Sequence, residues 1–68
     1  MQNLKSLRLS HNLTLKATAE LLGMAQRNYQ RYEAGEVDPP LSKVIFLADF
    51  FDVSIDYLVG RSDNPKRL

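Results

Sequence analysis

Ala19-Glu20-Leu21-Leu22-Gly23-Met24-Ala25-Gln26-Arg27-Asn28-Tyr29-Gln30-Arg31-Tyr32-Glu33-Ala34-Gly35 is the stretch whose reading decides the fold. Thr14, just upstream, is a helix N-cap residue type, and the pattern predicts a helix from about Leu15 to Leu22. Gly23 stands where a left-handed residue would close that helix. After the turn Gly23-Met24-Ala25 the pattern predicts a second helix, about Gln26 to Ala34, with Tyr29, Tyr32 and Glu33 on one face. Gly35 ends it, and Asp38-Pro39-Pro40 blocks continuation, since a residue before proline avoids the helical region. Two helices that cross steeply need a small residue where they touch and a positive-φ residue in the bend. Ala19 and Gly23 are those residues, and Leu22, Met24, Tyr29 and Tyr32 are apolar anchors at the right spacing.

Outward from this pair the punctuation stays helical. Leu4, Leu7 and Leu9 lie on a short first helix that stops at Ser10-His11-Asn12. About Leu41 to Phe51 forms a further helix, with Leu41, Val44, Leu47, Ala48 and Phe51 on one stripe. Asp52-Val53-Ser54 is a break in which Val53 can bury itself; Ser54 then caps a single short helix stopping at Gly60. No alternating β-branched run predicts a strand. The expected fold is all-α, five short helices in one domain over residues 1–60, with 61–68 a flexible, frayed tail around Pro65.

A chain of 68 residues is one domain at most, and so short a chain hides only about 60% of its unfolded surface. There is no cysteine and a single histidine, His11, so disulfides and thiolate or histidine metal sites are not expected. No apolar run approaches a membrane span, and Met1-Gln2-Asn3-Leu4-Lys5 lacks a signal peptide's apolar stretch, so a cytoplasmic protein is expected. No cofactor or small-molecule ligand is implied. Catalysis is not expected either, because the sequence shows no nucleophile–base pairing, carboxylate pair or glycine-rich phosphate loop. The net charge of +1 conceals a polarity: residues 1–31 carry +4, residues 32–60 carry −5 and residues 61–68 carry +2. Such a molecule can turn its basic half toward a polyanion, although surface charge also falls unevenly by chance.

On a helical wheel, Arg27, Gln30 and Arg31 lie opposite Tyr29, with Gln26 at the helix N-terminus and Asn28 on the flank. These are side chains with forked donors and acceptors: arginine pairs bidentately with guanine, and glutamine or asparagine with adenine. By itself such a face is ordinarily just a solvated helix exterior. The chain also carries Leu13-Thr14 ahead of Ala19-Glu20-Leu21-Leu22-Gly23-Met24, then Arg31-Tyr32-Glu33-Ala34-Gly35 and Pro39-Pro40-Leu41. The run Leu47-Ala48-Asp49-Phe50-Phe51-Asp52-Val53-Ser54-Ile55-Asp56-Tyr57-Leu58-Val59-Gly60 follows. With these stretches, from Leu4 to Gly60, it resembles the lambda repressor/Cro-like helix-turn-helix family, also called the xenobiotic-response-element type.

The resemblance implies double-stranded DNA as partner, with the helix beginning near Gln26 lying in the major groove as recognition helix. It implies base reading by Gln26, Arg27 and Arg31 and secondary contacts from Asn28 and Gln30. It implies phosphate contacts at Thr14 and the backbone around Leu15 and Lys16, and a structural salt bridge between Arg8 and Glu33. Departures are also visible: Leu15 stands where relatives often carry glutamine, Ala34 where asparagine is frequent, and Thr18 where an aliphatic residue is usual. The loop Glu36-Val37-Asp38, often basic in relatives, would repel phosphates, so one copy should bind weakly. Phe46 and Phe50, off the core stripe, are candidates for a homodimer surface that would set two recognition helices about 34 Å apart; alternatively they cap the core edge with Ile45, Ile55 and Tyr57. The expected function is that of a sequence-specific transcriptional regulator, a repressor of prokaryotic or phage type. The other reading is a protein-interaction module of the same fold, such as an antitoxin or antirepressor.

Overall fold

No helix among the described residues exceeds 11 residues, below the roughly 12–15 at which an isolated helix becomes even marginally stable in water. The structure, a computed structural model, describes residue 1 and residues 3–67. Its elements are α1 (Leu4–Ser10), α2 (Leu15–Leu21), α3 (Gln26–Ala34), α4 (Leu41–Phe51) and α5 (Ile55–Leu58), with no strand among the described residues. The spans of α3 and α4 coincide with those expected from the sequence. Leu22 falls outside α2 as its C-cap, so the α2–α3 connection is one residue longer than the expected turn.

Helices this short are held by their ends and by one shared core. Each of the five closes through a residue of positive φ: Asn12, Gly23, Gly35, Asp52 and Gly60. At α2, Gly23 N donates to Glu20 O at 3.0 Å and Met24 N to Ala19 O at 3.0 Å, which satisfies carbonyls the helix would otherwise orphan. The same pair of bonds recurs at α4, where Asp52 N donates to Asp49 O at 3.3 Å and Val53 N to Ala48 O at 3.0 Å. Asn12 and Asp52 are the non-glycine members of the set; both belong to the small group of side chains that tolerate this region. Opposite ends are capped where expected: Thr14 Oγ1 accepts from Ala17 N, and Ser54 Oγ from Tyr57 N, each at 3.0 Å.

The core draws on every element. Leu4 of α1, Ala19 of α2, Tyr29 and Tyr32 of α3, the Val44, Leu47, Ala48 and Phe51 stripe of α4, Leu58 of α5 and Val53 in the break are all buried. Leu41, assigned to the core stripe by its spacing, is instead 68% exposed; it is the first residue of α4, beyond the reach of the neighbouring helices. Thr18 is buried at the aliphatic position, its hydroxyl donating to Thr14 O at 2.9 Å, so the polar atom has a partner.

The tail, expected to fray, lies back along α4 and α5 in its described part. Ser54 N donates to Pro65 O at 2.9 Å, and Arg67 Nη1 donates to Ala48 O at 2.7 Å beside an ion pair with Asp49. Leu68 lies outside the described residues.

Candidate nucleic-acid interface

Helix α3 divides into two faces because its sequence does. Tyr29 and Tyr32 sit in the core, their rings edge-on with centroids 6.4 Å apart. Gln26, Arg27, Asn28, Gln30 and Arg31 are all exposed. Arg27, Gln30, Arg31 and Ala34, at i, i+3, i+4 and i+7, line a shallow depression of about 200 Å³. Among the described residues, no ion pair engages Arg27 or Arg31. Their donors therefore face solvent, where a planar acceptor can reach them. Glu36 completes the same depression, placed there by its own amide bonding to Arg31 O at 3.0 Å. The acidic loop thus meets the basic face directly, which sequence spacing alone did not disclose.

What aims this face is the packing behind it. Arg8 of α1 is buried, yet its guanidinium is fully engaged: Nε donates to Glu33 Oε2 at 2.6 Å, Nη2 to Oε1 at 3.3 Å and Nη1 to Leu13 O at 2.8 Å. The two side chains retain only 8% and 7% exposure. This bidentate pair joins α1 to the last turn of α3 and fixes how far α3 can rotate. Hydrogen bonding to Glu33 raises the Arg8 pKa despite the opposing effect of burial. Burial raises the pKa of the neighbouring Tyr29 phenol well above its ordinary value. That hydroxyl is enclosed with no hydrogen-bond partner among the described residues.

The α2 side of the site is smaller. Thr14 Oγ1 is committed to the Ala17 amide, and the first intrahelical bond is Thr18 N to Thr14 O at 3.1 Å. The amides of Leu15 and Lys16 precede that bond, so they point out of the helix N-terminus without an intrahelical acceptor, and the Lys16 side chain is exposed beside them. Lys43 of α4 donates to Leu22 O at 3.3 Å and so ties the turn between α2 and α3 to the rest of the domain. Lys43 was missed in the sequence because a lysine on a helix carries no local sign of a distant carbonyl.

The helix-turn-helix family model matches residues 4–58, from the first residue of α1 to the last of α5. The chain belongs to the lambda repressor/Cro-like helix-turn-helix family. Similar members include the HTH-type transcriptional regulators YobD and AnsR of Bacillus subtilis (strain 168). YobD is 45% identical over 94% of this chain and 57% of its own length; AnsR is 43% identical over 90% and 53%. The transcriptional repressor RstR of the cryptic phage CTXphi, from Vibrio cholerae, is 33% identical over 88% of this chain and 54% of its own. The chain therefore spans little more than half the length of these helix-turn-helix relatives. No solved structure matches it. Among the described residues, no helix is long and apolar enough to cross a membrane.

Proposed function

We propose that the chain binds double-stranded DNA in a sequence-specific manner as a transcriptional regulator, a repressor, with α3 lying in the major groove. The observation that carries this reading is the outer face of α3: Arg27, Gln30 and Arg31 are exposed and collected on one side of a helix pinned by Tyr29, Tyr32 and Glu33, and neither arginine has an ion-pair partner among the described residues. A major groove about 12 Å wide admits one helix and presents guanine and adenine edges that these side chains match. The names of the relatives, which include regulators and a phage repressor, support the same reading.

In that arrangement Gln26, Arg27 and Arg31 read bases, and Asn28 and Gln30 add flanking contacts. Thr14, Leu15 and Lys16 approach a phosphate through the hydroxyl, backbone amides and ammonium. Glu36 beside the basic face subtracts from backbone attraction, so one copy binds weakly and two copies on a roughly palindromic site supply the needed affinity. The test is selection from a pool of random duplexes across a salt titration. A palindromic motif is expected, with affinity falling steeply as salt rises. Weak, motif-free retention at every salt would instead favour a protein-interaction module, a reading to which Glu36 in the basic face lends some support.

A further inference from the structure

The tail crosses one rim of a groove between α4 and α5, and its path is shaped by its own side chains. Asn64 N donates to Ser62 Oγ and Lys66 N to Asn64 Oδ1, each at 3.1 Å. Two bonds then fasten that path to the helices. Pro65 O accepts from Ser54 N, the backbone amide of the α5 N-cap, at 2.9 Å. Arg67 Nη1 donates at 2.7 Å to Ala48 O, a carbonyl in the last turn of α4 that already accepts from Val53 N. The end of a helix holds a cation in this manner. One backbone carbonyl and a guanidinium two residues further on make up this grip, and neither is peculiar to the tail.

The groove is larger than its occupant. Beside Arg67 it keeps a volume of about 450 Å³, lined by Ile45, Ala48, Val53 and Ile55, within the roughly 300–1,000 Å³ of clefts that take ligands. Ile45 and Ile55 remain 43% and 41% exposed. Charge is also left over. Arg67 pairs with Asp49 at 2.5 Å and reaches Asp52 at 4.0 Å, while Asp56 on the groove wall has no ion-pair partner among the described residues. The side chains of both Arg67 pairs are 40% to 90% exposed, so solvent and salt weaken them and the tail is displaceable. Three carboxylates around one guanidinium select a basic occupant, and the isoleucines select an aliphatic side chain next to its charge.

We propose that this groove docks an extended basic segment of a separate protein, and that the tail is its competitor within the chain. The segment's arginine takes the place of Arg67 on Ala48 O and Asp49, a backbone carbonyl of the segment takes the Ser54 amide, and a neighbouring aliphatic side chain packs on Ile45 and Ile55. Main-chain bonds with pockets for alternate side chains are a recurring way to hold an extended peptide. No residue lining this groove belongs to α3 or to the depression beside Arg31, so the proposal is independent of the function proposed above.

The probe is the blocked peptide acetyl-Asn-Pro-Lys-Arg-Leu-amide, which copies residues 64–68, titrated into the full chain and followed by amide NMR. Shifts are expected at Ala48, Asp49, Val53, Ser54 and Ile55, and in residues 62–67 as the tail is displaced; shifts elsewhere, or none at all, overturn the proposal. The same peptide with glutamine in place of arginine should leave the spectrum unchanged, and equal binding by it overturns the assigned contact. Arg67→Ala removes the competitor and should tighten peptide binding about tenfold, the factor expected when the tail covers the groove about nine-tenths of the time. Unchanged affinity overturns the competition. Ile55→Ser should weaken binding with an unchanged circular dichroism spectrum, and full retention counts against the aliphatic contact. Should Arg67→Ala fail to fold, the two peptides on the wild-type chain still decide the matter. Concentration-dependent shifts at the same residues without peptide would assign the groove to the tail of a second copy and overturn the separate partner.

Discussion

The outer faces of α3 and α4 are built on the same plan and left in opposite states. Each belongs to a short helix fixed by a buried stripe. On α3 the outward charges, Arg27 and Arg31, have no ion-pair partner among the described residues, and the buried charge behind them, Glu33, is fully paired. On α4 the outward surface is aromatic, and its two charges are tied to Leu22 O and Arg67. The lesson is that exposure by itself does not mark function. What distinguishes the two faces is whether the charges on them are already satisfied within the chain.

That contrast can be broken most severely from behind. Glu33→Ala leaves Arg8 buried without its carboxylate, and loss of one partner of such a pair costs roughly 3–5 kcal/mol. For a domain of this size that is most of its stability, so chemical denaturation should show a collapsed or absent folded baseline. Replacing both residues by apolar ones, Arg8→Met with Glu33→Leu, should recover much of the loss; a single variant as stable as wild type would falsify the assigned role.

Arg31→Ala touches only the outer face. Its melting temperature should match wild type, while binding to the selected site weakens by about 1–3 kcal/mol if a guanine is read. An equal loss on random DNA would make Arg31 a phosphate contact instead. Gly23→Ala sharpens the comparison between faces by disturbing the joint that aims one of them. A Cβ there meets nothing within 4 Å, so only the φ of +67° is penalised. We expect a loss of about 1 kcal/mol, and a smaller one for Gly23→Asn, read from denaturant midpoints.

The smallest effect belongs to Tyr29. Its buried hydroxyl has no partner among the described residues, so Tyr29→Phe should be neutral or stabilising by up to about 1 kcal/mol. The sign with pH is fixed by the upward shift of the phenol: the folded state holds this proton more tightly than the unfolded chain. Stability from it is complete below the ordinary tyrosine value of about 10 and declines as pH rises beyond it. Tyr29→Phe should flatten that alkaline decline, and an unchanged profile would contradict the shift.

Most of the architecture was legible because its signals are local. Gly23 and Gly35 closed helices where glycine is expected to, Thr14 and Ser54 capped them, and the Val44–Leu47–Phe51 spacing named a buried stripe. Asn12 and Asp52 were read as polar breaks, and their left-handed role was not seen because either residue type serves in many kinds of turn. The contacts of the tail were hidden for a different reason. A polar segment with a proline reads as loose, and nothing near Arg67 in sequence indicates that Ala48 O lies within its reach. At the candidate site, the helical wheel named the outward residues of α3, whereas the Arg8–Glu33 pairing rested on family resemblance alone, and the position of Glu36 beside Arg31 came only from the folded chain.

The brevity of the helices has a consequence for how the molecule comes apart. The longest has 11 residues and the shortest four, and every one ends by bonding its last carbonyls to a left-handed closure. None can persist outside the shared core, so α3 has no order of its own to lend to a ligand. Its hydrogen-bonded amides, from Asn28 onward, should exchange with solvent only when the whole domain opens, with one common opening free energy, and the aim of the outer face is therefore a property of all five helices at once.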